Sequence, residues 1–113
     1  MEMKSIEQLR QALPTLQFSD TMSVIDALYD FTPGGFSNGG TRNEAGENNG
    51  SCKLFSFAQI SDFSEPQTLA LFGEFYRDVL ATPDGSDHQN IRHFMQTGWA
   101  GIQFDNAPLI EKK

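Results

Sequence analysis

The chain has 113 residues, with eight Lys and Arg against fifteen Asp and Glu, a formal net charge of −7, and ten phenylalanines. That length holds one domain burying roughly two thirds of its unfolded surface and excludes a second. The charge excludes nucleic acid or an anionic membrane surface as partner, because no local basic patch offsets it and Lys112 and Lys113 merely end the chain.

Three segments open with Ser followed three residues later by Gln, at Ser5 and Gln8, Ser64 and Gln67, and Ser86 and Gln89. Each predicts a helix start, since such a pair satisfies two orphan N–H groups reciprocally. The first helix puts Ile6, Leu9 and Leu13 on one face, and Pro14 stops it. Ser19 or Asp20 starts a second, in which Met22, Ile25, Leu28 and Tyr29 hold helical spacing to about Phe31. Ser51 is the expected cap of a third, whose Leu54, Phe55, Phe57, Ala58 and Ile60 wrap more than one face. A fourth, Glu65 to Ala81, carries Leu69, Phe72, Tyr76 and Val79 on one stripe and is the expected centre of the core. Gly73 lies on that stripe, where a missing side chain lets a neighbouring helix approach closely. Pro83 and Gly85 make a turn, and a fifth helix from Asp87 to about Thr97 places Ile91, Phe94 and Met95 inward before Gly98 ends it. From Trp99 to Phe104 the apolar period drops to two, which predicts a short strand with Phe36 to Asn38 as its partner.

The expected fold is therefore mainly α: a single domain over residues 1–113, with about five helices, one long Gly/Asn-rich loop and a short two-stranded β ribbon joining Phe36 and Ile102. No run approaches the roughly 18 apolar residues of a membrane span, and MEMKSIEQLRQAL has no apolar signal region. Export would need a route without a cleaved hydrophobic signal. The lone cysteine, Cys52, excludes an intramolecular disulfide and fits a reducing compartment.

The long loop is the most distinctive stretch. Six of the ten glycines fall between Gly34 and Gly50 with four asparagines, and Phe36 and Ala45 are its only apolar residues. Gly and Asn tolerate positive φ, so this composition shapes backbone rather than core. Amphipathic patterns resume on both sides, which makes it an ordered internal loop.

Candidate chemistry gathers on this loop and the fifth helix. Cys52 follows a predicted helix start, where free N–H groups favour thiolate; His88 or His93 would act as base and Glu44, Glu47 or an Asn as orienter. Against that stands the commoner fate of a free cysteine, a small buried hydrophobe. His88 and His93 are five positions apart on one predicted helix and point roughly 140° from each other, so they cannot share a metal. No metal or cofactor is expected. GENNGSCK superficially resembles a phosphate cradle but lacks the Gly-Lys-Ser/Thr order, and Glu44 and Glu47 repel an anion. Two readings of the loop stand: Asn48, Asn49 or the two glutamates fold back to cap the third helix, or Asn43, Glu44, Asn48 and Asn49 line a polar pocket completed by His88, Asn90 or Arg92. An Arg92 paired with Glu44 or Glu47 serves either. Trp99, between Gly98 and Gly101, packs in the core or serves as a binding platform.

The run NEAGENNGSCKLFSFA, followed by QTLALFGEFYRDVL, DHQNIRHFM and TGWAGIQF, is similar to the HopJ type III effector family, in order from about Phe31 to Phe104. The resemblance implies a bacterial protein, made in the cytoplasm and injected into a host cell by a type III apparatus, where a host protein is its partner. It implies no activity, cofactor or catalytic residue. Three functions follow in order: an effector acting as a protein-interaction module, a cytosolic protein binding a small polar ligand, and last a small enzyme using Cys52 or His88. The oligomeric state is not legible in the sequence.

Overall fold

The structure is a computed structural model and describes residues 5–112. Of these, 56% are helical and 14% lie in strands. The helices are α1 (Ile6–Ala12), α2 (Phe18–Leu28), α3 (Asn49–Ile60), α4 (Glu65–Ala70), α5 (Glu74–Ala81) and α6 (Gln89–Thr97), with 3₁₀ turns at Leu13–Thr15 and Gly98–Gly101. The strands are β1 (Tyr29–Phe31), β2 (Phe36–Asn38), β3 (Thr41–Asn43), β4 (Ile102–Phe104) and β5 (Leu109–Glu111). They form two antiparallel sheets, one of β1 and β5 and one ordered β3-β2-β4.

This corrects the expected fold class. The domain is an α/β fold with six helices and two small sheets, not a five-helix domain with a ribbon. Three local causes account for the difference. The helix expected from Glu65 to Ala81 breaks at Gly73, whose φ of +62° is left-handed and cannot continue an α-helix. A Cβ there would lie 2.6 Å from the Phe18 nitrogen and 2.8 Å from the Leu16 carbonyl oxygen, so the chain entering α2 runs against bare backbone. The Gly/Asn-rich segment is not loop throughout: it turns at Gly39, with φ +61°, and returns as β3, adding a third strand to the ribbon. The expected pair does form, with Phe36 opposite Phe104 and Asn38 opposite Ile102. Finally, the end of the second helix unwinds into β1, which pairs with the C-terminal Leu109–Glu111.

Two of the three Ser/Gln pairs behave as the pattern predicts: Ser5 with Gln8 and Ser64 with Gln67 form reciprocal capping boxes, the second with Pro66 in its first turn. At Ser86 the pattern fails. Gln89 turns its amide back onto the Ser86 carbonyl, and α6 starts two residues later than expected, after His88.

The core is centred on α3 rather than on the segment from Glu65 to Ala81. Phe55 is fully buried, with ring centroids 4.9 Å from Phe94, 5.4 Å from Phe72, 6.2 Å from Phe36 and 6.5 Å from Trp99. Such offset and edge-on pairs add to the burial of each ring. Because Phe55 touches β2, the turn between α4 and α5, α6 and the 3₁₀ turn after it, it couples the β3-β2-β4 sheet to the segments that border the site.

Candidate functional site

The N-termini of α3 and α6 meet at a cleft of about 500 Å³, lined by Phe18, Phe72, Phe75 and Ile91 below and by Asn48, Gly50, Ser51, His88, Gln89 and Asn90 around it. The lining holds no Asp, Glu, Lys or Arg side chain. The two helices begin in the same way: Asn48 (φ 51°, ψ 47°) and His88 (φ 51°, ψ 49°) are both left-handed residues, and neither places a side-chain oxygen over the first turn. Gly50 is required for closeness, because a Cβ there would sit 2.9 Å from the tip of the Phe18 ring.

Behind the cleft lies a buried amide network. Asn38 Nδ2 donates to the Asn90 carbonyl at 2.8 Å and to Asn90 Oδ1 at 3.0 Å. Asn43 Nδ2 donates to Asn90 Oδ1 at 3.2 Å, and Asn90 Nδ2 returns a bond to Asn43 Oδ1 at 3.1 Å. Asn48 Nδ2 also donates to Asn43 Oδ1, at 2.7 Å. The β2–β3 hairpin is thus fastened to the first turn of α6 by side chains that are almost wholly out of water. Thr41 adds a short hydrogen bond to His93 Nδ1 on the same helix.

Of the residues singled out from sequence, Asn48, His88 and Asn90 line the cleft, and Asn43 supports it from behind. The others lie elsewhere. Glu44 and Asn49 are exposed; Glu44 accepts from Arg42 Nε at 3.4 Å, and its backbone N–H donates to Glu47 at 2.8 Å. The loop therefore bonds within itself instead of capping α3, as Asn48 also shows by turning to Asn43. Arg92 pairs with neither Glu44 nor Glu47. Its guanidinium donates to the Thr82 carbonyl at 2.8 Å, the Asp87 carbonyl at 2.6 Å and the Asp87 carboxylate at 2.7 Å, which fixes the turn between α5 and α6. The hydrogen bond from Arg92 holds the Asp87 carboxyl below its usual range. Arg42 does the same for Asp105, which it meets in a bidentate pair linking β3 to the residue after β4. Trp99 packs edge-on against Phe94, and its indole N–H donates to the Phe63 carbonyl at 3.3 Å, a core role rather than a platform.

The arrangement expected of a cysteine nucleophile is not formed. With Asn48 as the N-cap, Cys52 is the fourth helical residue rather than the first, and its N–H is already bonded to the Asn48 carbonyl at 3.0 Å. The thiol is buried, faces the Gly34 carbonyl at 3.7 Å, and is pushed above its ordinary pKa by desolvation. His88 is engaged elsewhere: its ring stacks on Phe75 with centroids 5.4 Å apart, and Nε2 lies 3.8 Å from Asp87 and 3.9 Å from Asp78.

Sequence reasoning missed Asn38 and the aromatic floor. Asn38 shares the buried side of β2 with Phe36, and that alternation was the available signal. Phe18 precedes the expected helix start, and the spacing puts Phe72 on the stripe of one continuous helix with Phe75 beside it, so no spacing rule brings the three rings together.

Comparison with known proteins agrees with this architecture. A crystal structure described as that of unknown function protein VPA0580 is 50% identical and superposes with a TM-score of 0.90, the match covering 99% of this chain and 97% of the other. No curated protein matches the chain. Among the described residues no helix is long and apolar enough to cross a membrane. The family described as HopJ type III effector protein matches residues 3–109, which is nearly the whole chain, and on that match the chain belongs to the HopJ type III effector family.

Proposed function

We propose that this protein is a binding module of the type III effector kind, which takes an uncharged aromatic or apolar side chain of a host protein into the cleft between α3 and α6. One observation carries the reading: the cleft is lined by three phenylalanines and Ile91 together with amide, hydroxyl and imidazole side chains, and by no Asp, Glu, Lys or Arg. Pockets of this composition gain affinity from apolar burial and orientation from a few polar groups. Anchors of this kind dominate protein interfaces when they enter a desolvated pocket. The first N–H groups of α3 and α6 are not capped by side chains and supply donors for a hydroxyl or backbone carbonyl at the edge of such an anchor.

The test is a thermal-shift comparison of capped amino acids. N-acetyl-tyrosinamide and N-acetyl-leucinamide are expected to raise the melting temperature in proportion to their occupancy, and N-acetyl-lysinamide and its glutamate counterpart are not. Stabilisation by the charged pair alone, or by none of the four, would contradict the proposal. Delivery is the part of this proposal that the family suggests, and it is tested separately by a translocation reporter fused to the chain: a signal lost without the type III apparatus supports it. A second reading, a cytosolic protein holding a small uncharged ligand, is favoured by the cleft volume, which falls in the usual small-molecule range of roughly 300–1,000 Å³. It predicts stabilisation by a metabolite and no translocation.

A further inference from the structure

A second groove of about 390 Å³ runs between α5 and α6, separate from the aromatic cleft except that Gln89 borders both. Its apolar wall is Val79, Leu80, Pro83 and Met95. Leu80 and Met95 are 54% and 45% exposed, so two of the most exposed large hydrophobic residues of the described chain face the same depression. This arrangement has no account in folding. The sequence pattern placed Met95 inward with Ile91 and Phe94, yet α6 turns it to solvent, and Leu80 stands beside it on α5 rather than beneath it.

The groove has an acidic margin. Asp78 precedes Val79, Asp84 lies between Pro83 and Gly85, and Asp87 follows Ser86, so each carboxylate adjoins a residue of the groove wall. All three are exposed. Asp87 is neutralised by Arg92, while Asp78 has only the more distant His88, and Asp84 forms no ion pair among the described residues. The basic side chains that border the groove are already engaged, Arg92 with the carbonyls of the turn and the His93 imidazole with Thr41. Arg77, on α5, reaches away to the Leu16 carbonyl at 2.9 Å. An apolar groove with a net negative margin selects against a second copy of a chain that itself carries −7, and selects for a cationic occupant.

From these observations we infer that the groove between α5 and α6 docks a basic amphipathic helix of a partner protein, with its apolar face on Leu80 and Met95 and its lysines or arginines toward Asp78 and Asp84. The two-helix groove suits anchors at i, i+3 and i+4 spacing. This does not rest on the aromatic cleft, and the two sites separate by mutation.

The probe is a pair of synthetic amphipathic peptides of about two heptads, one of Leu and Lys and one with Glu in place of every Lys, titrated into the full chain by calorimetry or anisotropy. The Leu/Lys peptide is expected to bind at least about tenfold tighter than the Leu/Glu peptide and to lose affinity as salt rises from about 0.05 to 0.3 M. Leu80→Ser with Met95→Ser, and separately Asp84→Lys, should each weaken it about tenfold. Glu44→Lys, an exposed charge reversal outside the groove, should leave it largely unchanged. Because Leu80, Met95 and Asp84 are exposed, these variants keep the fold, and a circular dichroism spectrum confirms it. Equal affinity for both peptides, no binding of either, insensitivity to the Leu80 and Met95 changes, or self-association through this face at micromolar concentration would each overturn the inference.

Discussion

Asn90 illustrates how a single side chain can hold two elements together. Its amide accepts from Asn38 and Asn43 and donates back to Asn43, among side chains that are almost wholly out of water. Truncation leaves the buried Asn43 Nδ2 without its acceptor, while Asn38 Nδ2 keeps only the Asn90 carbonyl, and an unpaired buried group costs its full desolvation. Asn90→Ala should therefore lower stability by about 2 kcal/mol in denaturant unfolding, whereas Asn49→Ala, an exposed change, should stay within about 0.5 kcal/mol. Cys52 makes a prediction in pH. Its folded pKa is raised by burial, so the folded state holds the proton more tightly than the unfolded one. The corresponding stability is fully present below the ordinary thiol pKa, about 8.5, and falls as pH rises above it. Cys52→Ala should flatten the alkaline limb of the stability profile, and iodoacetamide at neutral pH should label the native thiol more slowly than a free one.

At the scale of elements, Gly73 decides where one helix becomes two. Its positive φ and the backbone of Leu16, Gln17 and Phe18 against its open face mean that any side chain is both strained and blocked. Gly73→Ala should destabilise by about 3 kcal/mol or more, read as a lower denaturation midpoint, because the obstructing atoms are backbone and cannot swing aside. Much of the layout follows from local rules: the Ser5 and Ser64 boxes with Pro14 and Pro66 mark helix ends, and the period-two run gives the strand Ile102–Phe104, although its first residues, Trp99 to Gly101, form a 3₁₀ turn instead. Gly73 did not declare itself, since the apolar stripe continues across it and only the approach of a distant segment shows the break. Ser86 and Gln89 satisfied the capping pattern, yet the pattern holds no term for Arg92, which claims the Asp87 carbonyl and carboxylate and shapes the turn. The β1–β5 sheet was illegible for another reason. Three-residue strands far apart in the sequence, Tyr29–Phe31 and Leu109–Glu111, have too few positions to display a period, and their pairing exists only in the folded molecule.

For the whole molecule, the functional argument joins the family to the surface. The candidate residues on the loop divided into a buried network, which builds the site, and an exposed set around Glu44, which closes the loop on itself. Asn43, Asn48, His88 and Asn90 were legible as polar residues of the loop and the fifth helix under the pocket reading, one of the two that the sequence leaves open. The hydrophobic floor was not, because Phe18, Phe72 and Phe75 come from three segments whose convergence depends on the break at Gly73. The resulting cleft belongs to a HopJ family member with an acidic surface, and its uncharged lining contrasts with the rest of that surface.

The claim that this cleft is the binding site is tested most directly by following backbone amide shifts as N-acetyl-tyrosinamide is added to the intact chain and to Ser51→Trp, whose indole occupies the cleft. The account predicts saturable shifts at Gly50, Ser51, Phe75, His88 and Gln89 in the first protein and their loss in the second. Saturable shifts centred on other residues, or equal binding by the filled variant, would contradict it.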